Sequence, residues 1–304
     1  MVAVSNTITQ ALLKEYNDNY LEPSAPYTWF DDVLCGVIPP ENLTLALAAN
    51  AEYFGHSDWA KPYFDYCHRD PAFIERWQMA TGSWDDKIVI DIGCGPGNVF
   101  ASLGGRPKRL LGVDVSMGAL KMAQKLGYTP ILADAQALPL KSEIADIVVI
   151  NASLHHCDDM AQALREAARL VKPGGVLVSD HDLQKSAWDF KGIAHVLWNA
   201  RLPLYRWLKR GGHASVLEQK YALATEAHHL PGDGMTVEFY HSILEKMGFS
   251  VNVYPHNHTV GAGVFQGDIG RSPAKYRIAQ RLSGLDPNSP EAALSLMCVA
   301  HRQK

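Results

Sequence analysis

The stretch Val89-Ile90-Asp91-Ile92-Gly93-Cys94-Gly95-Pro96-Gly97-Asn98-Val99-Phe100 decides the fold. A β-branched run, Ile88 to Ile90, ends at the carboxylate of Asp91. Glycines then alternate at Gly93, Gly95 and Gly97 before an apolar helix begins. A buried strand that ends at an acid and turns through glycines into a helix is suited to cradling a ligand. Glycine lets the backbone approach a ligand closely and adopt φ > 0, and the new helix offers unpaired N–H groups. The spacing argues against one cofactor class. A dinucleotide fingerprint needs G-x-G-x-x-G, but here the third glycine comes one position early and Asn98 stands in its place.

Outward from this loop, apolar strands alternate with helices. Further strands are expected at 110–114, 129–133, 144–150 and 176–179, with helices at 117–126 and 158–171, the last stopping at Lys172-Pro173-Gly174-Gly175. Such alternation implies a parallel, doubly wound sheet. Right-handed crossovers then bring all strand C-termini to one edge, where ligands bind. Residues 1–82 read as a mostly helical, aromatic preface, including helices at 9–20 and 42–60 and one opened by Asp70-Pro71. As a lid it would offer Tyr27, Trp29 and Phe30 to a substrate. Residues 83–183 form the core. Residues 184–236 read as a helical cap with Trp198, Arg201, Tyr205, Arg206 and Trp207, its basic run interrupted by Pro203. Residues 237–304 complete the sheet with a helix at 237–247 and strands at 249–254 and 294–300, around an irregular Gly- and Pro-rich stretch at 260–290.

Composition narrows the function. The chain has 304 residues and a formal charge of −4, which disfavours a general nucleic-acid binder. Five scattered cysteines without a C-x-x-C pair fit a reducing compartment, with neither a disulfide framework nor a zinc site. No signal peptide is evident and no apolar run is long enough to span a membrane, so the expectation is a cytoplasmic protein.

Behind the loop, in order, come Val113-Asp114-Val115-Ser116, Ala133-Asp134-Ala135 with Leu138-Pro139, the 146–156 stretch ending in Leu154-His155-His156, and Arg165-Glu166 leading to Lys172-Pro173-Gly174-Gly175. With D-x-G-x-G-x-G at Asp91–Gly97, this resembles the small-molecule branch of class I S-adenosylmethionine-dependent methyltransferases (the methyltransferase type 11-like group). Their comparable stretches read VDxS, D-A-x-x-LP, LHH and LKPGG. The resemblance covers about residues 86–183. It implies an α/β, Rossmann-like, mostly parallel seven-stranded sheet and S-adenosylmethionine as cofactor.

It also implies roles. Asp114 would accept both ribose hydroxyls. Asp134 and the Ala135 N–H would read adenine, with Val115, Met117 and Leu138 as apolar faces. Gly93 and Gly95 would pass close to the methionine end, with Cys94 as a small filler and Gly97 completing the loop. Asp91 would help hold the ammonium, and Asn151, Ala152 and Ser153 would lie near the sulfonium. Transfer of an activated methyl needs mainly proximity and orientation, together with a route for the acceptor's proton. His155, His156, His181 and Asp182, with Asp180, follow the fourth and fifth strands, and histidines and carboxylates are the usual bases. His256-Asn257-His258 has ligand-like spacing but no third ligand in the sequence, so no metal is expected. The expected activity is methyl transfer to a hydroxyl or amine of a small metabolite, without nucleic-acid partners. The alternatives are C-methylation of a quinone-like ring, a non-catalytic S-adenosylmethionine-binding regulator, and a tRNA or protein methyltransferase, which the acidic balance disfavours.

Overall fold

The computed structural model describes residues 14–38, 40–56, 69–208, 215–228 and 230–304; parts of the expected helices at 9–20 and 42–60 lie outside them. The strands are β1 (Tyr27–Phe30), β2 (Val33–Gly36), β3 (Ile88–Ile92), β4 (Arg109–Asp114), β5 (Thr129–Leu132), β6 (Ala145–Asn151), β7 (Val171–Leu183), β8 (Phe249–His256) and β9 (Ser295–Arg302). They form one sheet in the order β1-β2-β5-β4-β3-β6-β7-β9-β8. The expected seven strands run from β5 to β8 in this order. Strands β5, β4, β3, β6 and β7 are parallel, and β9 is antiparallel to both its neighbours.

The parallel strands are largely apolar because both faces are buried. On β3, Ile90 and Ile92 enter the core cluster on one face, and Val89 enters the cluster on the other. Helices cover both sides: α1 (Leu45–Tyr53), α2 (Pro71–Thr81), α3 (Asn98–Leu103), α4 (Met117–Gln124), α5 (Met160–Leu170), α6 (Lys185–Trp188), α7 (Gly192–Trp207), α8 (Val216–Ala224), α9 (Val237–Leu244) and α10 (Ala274–Leu282). Their starts follow capping chemistry. Asp70, with Pro71 at the first helical position, caps α2, and Ser116 and Asp159 accept the N–H groups of Ala119 and Gln162.

Two expectations are corrected. The stretch containing Tyr27, Trp29 and Phe30 is not part of a helical lid. It is β1, hairpinned to β2, and β2 extends the sheet by pairing in parallel with β5. The 260–290 stretch contains α10, which starts after Pro273 and is held by Gln280, whose buried amide donates to the Ala292 carbonyl at 2.8 Å. Within the expected helical cap, α7 runs through Pro203. The Lys172–Gly175 turn does end α5, but as a loop inside β7. Pairing with β6 jumps from Ala145–Val171 to Ile147–Val176. No described helix is long and apolar enough to cross a membrane.

Candidate functional site

At the carboxyl ends of β3, β4, β5 and β6 lies a cleft of about 1070 Å³, open mouth included. Its floor is the glycine loop and the turns after the strands, and α1 roofs it with Leu47, Asn50 and the following Phe54. The roof is latched on two sides. Thr44, the N-cap of α1, donates its hydroxyl to Asp158 at 2.7 Å, and Ser116 donates its hydroxyl to the Ala51 carbonyl at 2.7 Å.

Two glycines of the loop have different reasons to be glycine. Gly93 has φ 66°, and a Cβ there would lie 2.2 Å from the Ser153 hydroxyl oxygen. That hydroxyl donates to the Asn151 carbonyl at 2.9 Å. Gly95 has φ 52°, and a Cβ there would meet no atom within 4 Å, since it faces open space. Gly93→Ala should therefore destabilise the fold by about 1–3 kcal/mol through left-handed strain plus displacement of Ser153, against about 1 kcal/mol for Gly95→Ala, which carries the strain alone. Urea denaturation of the two variants reads the difference, and equal losses would remove the Ser153 contact as its cause.

Asp114 ends β4 on the cleft wall. Its Oδ2 accepts the Gly95 N–H and its Oδ1 the Ser116 N–H, both at 2.8 Å. Burial raises its pKa against these backbone bonds. The carboxylate is thereby fixed in orientation and keeps lone pairs for a ligand. Asp134 is held similarly, accepting Asn42 Nδ2 at 2.7 Å and the Gln136 N–H at 2.9 Å. Cys94, Val115, Ala135, Asn151, Ala152 and Ser153 also border the cleft.

Asn98 was not among the expected site residues, although it stands where a dinucleotide loop would have its third glycine. It lines the cleft, and its buried side-chain oxygen has no hydrogen-bond partner among the described residues. An acceptor without a partner in a ligand cleft suits a donor on the ligand. Together with two fixed acids and the space above Gly95, it fits S-adenosylmethionine, a molecule with hydroxyl, amino and ammonium donors.

Several expected residues are placed elsewhere. Asp91 is not among the residues that line the cleft. Its Oδ2 accepts the Tyr128 hydroxyl at 2.7 Å in the core, and burial pushes its pKa up to about 7. Gly97 is the N-cap of α3, and Met117, the first residue of α4, packs into the core. Neither lines the cleft, nor do Leu138, Tyr27, Trp29 and Phe30. Tyr27 donates its hydroxyl to Asn17, Trp29 packs edge-on against Tyr16, and Phe30 is exposed.

Of the four expected catalytic residues, only His156 borders the cleft. Its Nδ1 lies 2.5 Å from the Thr225 carbonyl, so Nδ1 carries the proton and Nε2 the lone pair. Burial, then the neighbouring His155, pushes its pKa down to about 4. His155 lies beside it, with ring centroids 4.0 Å apart. Its Nδ1 is 2.8 Å from Asp182 Oδ1. Burial lowers the His155 pKa, but the Asp182 hydrogen bond and the Glu226 and Asp182 charges outweigh burial and raise it. Asp182 is fixed in turn by the Ser179 hydroxyl, which donates to its Oδ2 at 3.1 Å. His181 belongs to a separate buried network with Arg76, Asp180, His256 and His258. The guanidinium in that network, already paired with Asp180, makes it a poor cation site.

Comparison with known proteins agrees with the cleft. Residues 90–179 match the model of the methyltransferase domain family. The chain is 34% identical over 91 residues to a malonyl-acyl-carrier-protein O-methyltransferase of Salmonella typhimurium, covering 29% of this chain and 36% of that one. It is 28% identical over 148 residues to the protein of the same name from Yersinia pestis, covering 47% and 53%. To a ubiquinone biosynthesis O-methyltransferase of Nitrosomonas europaea it is 34% identical over 114 residues, covering 35% and 48%. The chain thus spans between about a third and about a half of the length of these curated relatives. What is shared includes the strand ends and glycine loop that floor the cleft, and residues 90–179 are accordingly similar to a methyltransferase domain.

Proposed function

We propose that this protein transfers the methyl group of S-adenosylmethionine to a hydroxyl or amine of a small metabolite. The observation that carries this reading is the pair of fixed acids, Asp114 and Asp134, after the neighbouring strands β4 and β5 in a roofed cleft whose glycine loop leaves room for a ligand. When bound, the cofactor supplies a methyl group made electrophilic by positive sulfur. Asp114 would hold the ribose hydroxyls, Asp134 the adenine amino group, and Asn98 Oδ1 a donor at the loop end. The roof residues Leu47 and Phe54 would exclude water and restrict how the acceptor lies, which is the main catalytic requirement of an in-line displacement. His156 Nε2 is the lone-pair nitrogen on the wall that can engage an acceptor hydroxyl. Relatives of the domain bear O-methyltransferase names, which favours an oxygen acceptor over an amine.

Calorimetry with S-adenosylmethionine and its demethylated product tests the reading. Both should bind, and Asp114→Ala should weaken binding by about 1–3 kcal/mol, roughly 5- to 150-fold, because buried ligand hydroxyls lose their acceptor. Failure of both ligands to bind at millimolar concentration would overturn the proposal; an unchanged affinity in the variant would overturn the role of Asp114.

A further inference from the structure

Beside the cleft, three potential ligand groups converge from segments far apart in sequence. His155 and His156 lie in the turn after β6, and Glu226 follows α8. One ligand atom from each lies within 4.8 Å of the other two. The Glu226 carboxylate is 3.7 Å from His155 Nε2. We propose that His155, His156 and Glu226 form a binding site for a divalent transition-metal ion that takes the acceptor's hydroxyl oxygen as a further ligand.

The chemistry of both histidines supports it. An imidazole that binds a metal through one nitrogen ordinarily donates the other N–H to a carboxylate or backbone carbonyl, which fixes the ring and its tautomer. Both rings here are held in that way at Nδ1, His155 by Asp182 and His156 by the Thr225 carbonyl. Each Nε2 is then the metal-facing atom. Asp182 is itself wholly buried and held by Ser179, whose hydroxyl oxygen lies 3.1 Å from that of Tyr240. A chain of buried polar groups thus orients His155 from beneath the sheet edge. Two imidazoles and one carboxylate suit zinc, iron or cobalt better than magnesium or calcium, which prefer oxygen donors. Three protein ligands leave positions open, the pattern of a catalytic rather than a structural site. His156 borders the cleft, so an acceptor bound there can reach the open positions.

The inference rests on the methyltransferase reading only for what the metal would do. A hydroxyl bound to the ion gives up its proton to solvent more readily. Its oxygen then forms the bond to the methyl carbon as the carbon–sulfur bond breaks, with the electron pair staying on sulfur. The acceptor class this selects is a hydroxyl compound. A neutral amine needs no such activation.

The test is metal binding itself. Untagged full-length protein is stripped with a chelator and titrated with cobalt(II), following its visible absorption, and with zinc by calorimetry. One ion per chain should bind with micromolar or tighter Kd, with a cobalt spectrum of low coordination number. His156→Gln and Glu226→Gln should each weaken binding at least tenfold, and Asp182→Asn about 10- to 100-fold, because His155 Nδ1 loses its anionic acceptor. Glu226 lies partly at the surface, so its variant keeps the test valid if the histidine variant fails to fold. No stoichiometric binding below about 100 µM, or binding unchanged in Glu226→Gln, overturns the site. The same metal-free protein titrated with S-adenosylmethionine separates the two ideas: cofactor binding without cobalt binding sinks only the metal site, and the reverse sinks only the methyltransferase reading.

Discussion

Replacing Arg76 with methionine should lower the unfolding free energy by about 3–5 kcal/mol, the expected cost of leaving a buried ionic partner uncompensated. The Arg76 and Asp180 side chains are both fully buried, with Arg76 Nε 3.0 Å from Asp180 Oδ2. The same guanidinium donates through Nη1 to the Val260 carbonyl at 2.6 Å and lies with Nη2 3.2 Å from His181 Nε2. Burial alone would raise the Asp180 pKa. Arg76 first, then His256 and His181, more than reverse this and hold it well below the usual carboxylate range. Without Arg76 the carboxylate must either stay charged in the interior or take up a proton. Methionine keeps most of the packing volume, so the loss reports the charge. The double variant Arg76→Met/Asp180→Asn should recover most of the stability, because it removes both ions. A single variant within about 1 kcal/mol of the native protein in urea denaturation would refute the argument. The effect should also reach the cleft. The Asp180 carbonyl accepts the Ala152 N–H at 2.8 Å, and Ala152 is a cleft residue with φ 51°. Cofactor affinity should fall with stability in the single variant.

The cleft floor was legible in sequence because its signals are local. A strand, a glycine turn and an acid at a fixed distance lie within a few tens of residues, so Asp114, Asp134 and the loop follow from reading along the chain. Where the reading failed, the missing signal was of two kinds. For some residues a local signal exists in the strand pattern. Asp91 shares the face of β3 with Val89, two residues before, and strand alternation points both away from Ile90 and Ile92. On that face Asp91 meets the Tyr128 hydroxyl. Likewise Tyr27–Phe30 and Val33–Gly36 flank a two-residue loop, Asp31-Asp32, with φ 50° and 61° at its two positions. That is a hairpin of the primed-turn type, and its aromatic residues pack as a sheet edge rather than a lid. For other residues no local signal exists. The roof side chains Leu47, Asn50 and Phe54 come from an alanine-rich helix without a distinctive polar face, and Glu226 and the Thr225 carbonyl reach the histidines only because α8 packs on α1. Those contacts depend on how distant segments dock.

Acidification should cost the protein stability through its buried neutral histidines, His156 at the cleft, with a pKa of about 4, and those around Arg76. His181, His256 and His258 all have pKa values below the ordinary histidine value, His258 at about 3; burial is the largest cause for each, and Arg76 lowers all three further. Their bonds show why the rings stay neutral. His181 Nε2 accepts from the guanidinium, and His256 donates through Nε2 to Asp180 at 2.6 Å while its Nδ1 accepts the His258 N–H at 3.1 Å. A proton on His181 would set a second cation against Arg76. The sign follows from linkage. The unfolded chain takes up protons near pH 6.5 and the folded one does so only much lower, so stability present at pH 7 is lost as the pH falls from about 6.5 toward the folded values. For His258 this amounts to about 2 kcal/mol between pH 7 and pH 5, and His181 and His256 add to it in the same direction. Asp91 acts in the opposite sense. Its pKa is raised to about 7, so it gains about 2 kcal/mol over the same interval, and Asp114, also raised, adds to that gain. Asp180 holds its contribution down to about pH 4, since its pKa is lowered rather than raised. The discriminating measurement is therefore the difference between proteins. In urea denaturation at pH 7 and pH 5, His258→Gln should lose about 2 kcal/mol less on acidification than the native chain, and Asp91→Asn about 2 kcal/mol more. Equal pH slopes in all three proteins would mean that these groups titrate alike in the folded and unfolded chain, which the buried bonds around Arg76 and Tyr128 do not allow.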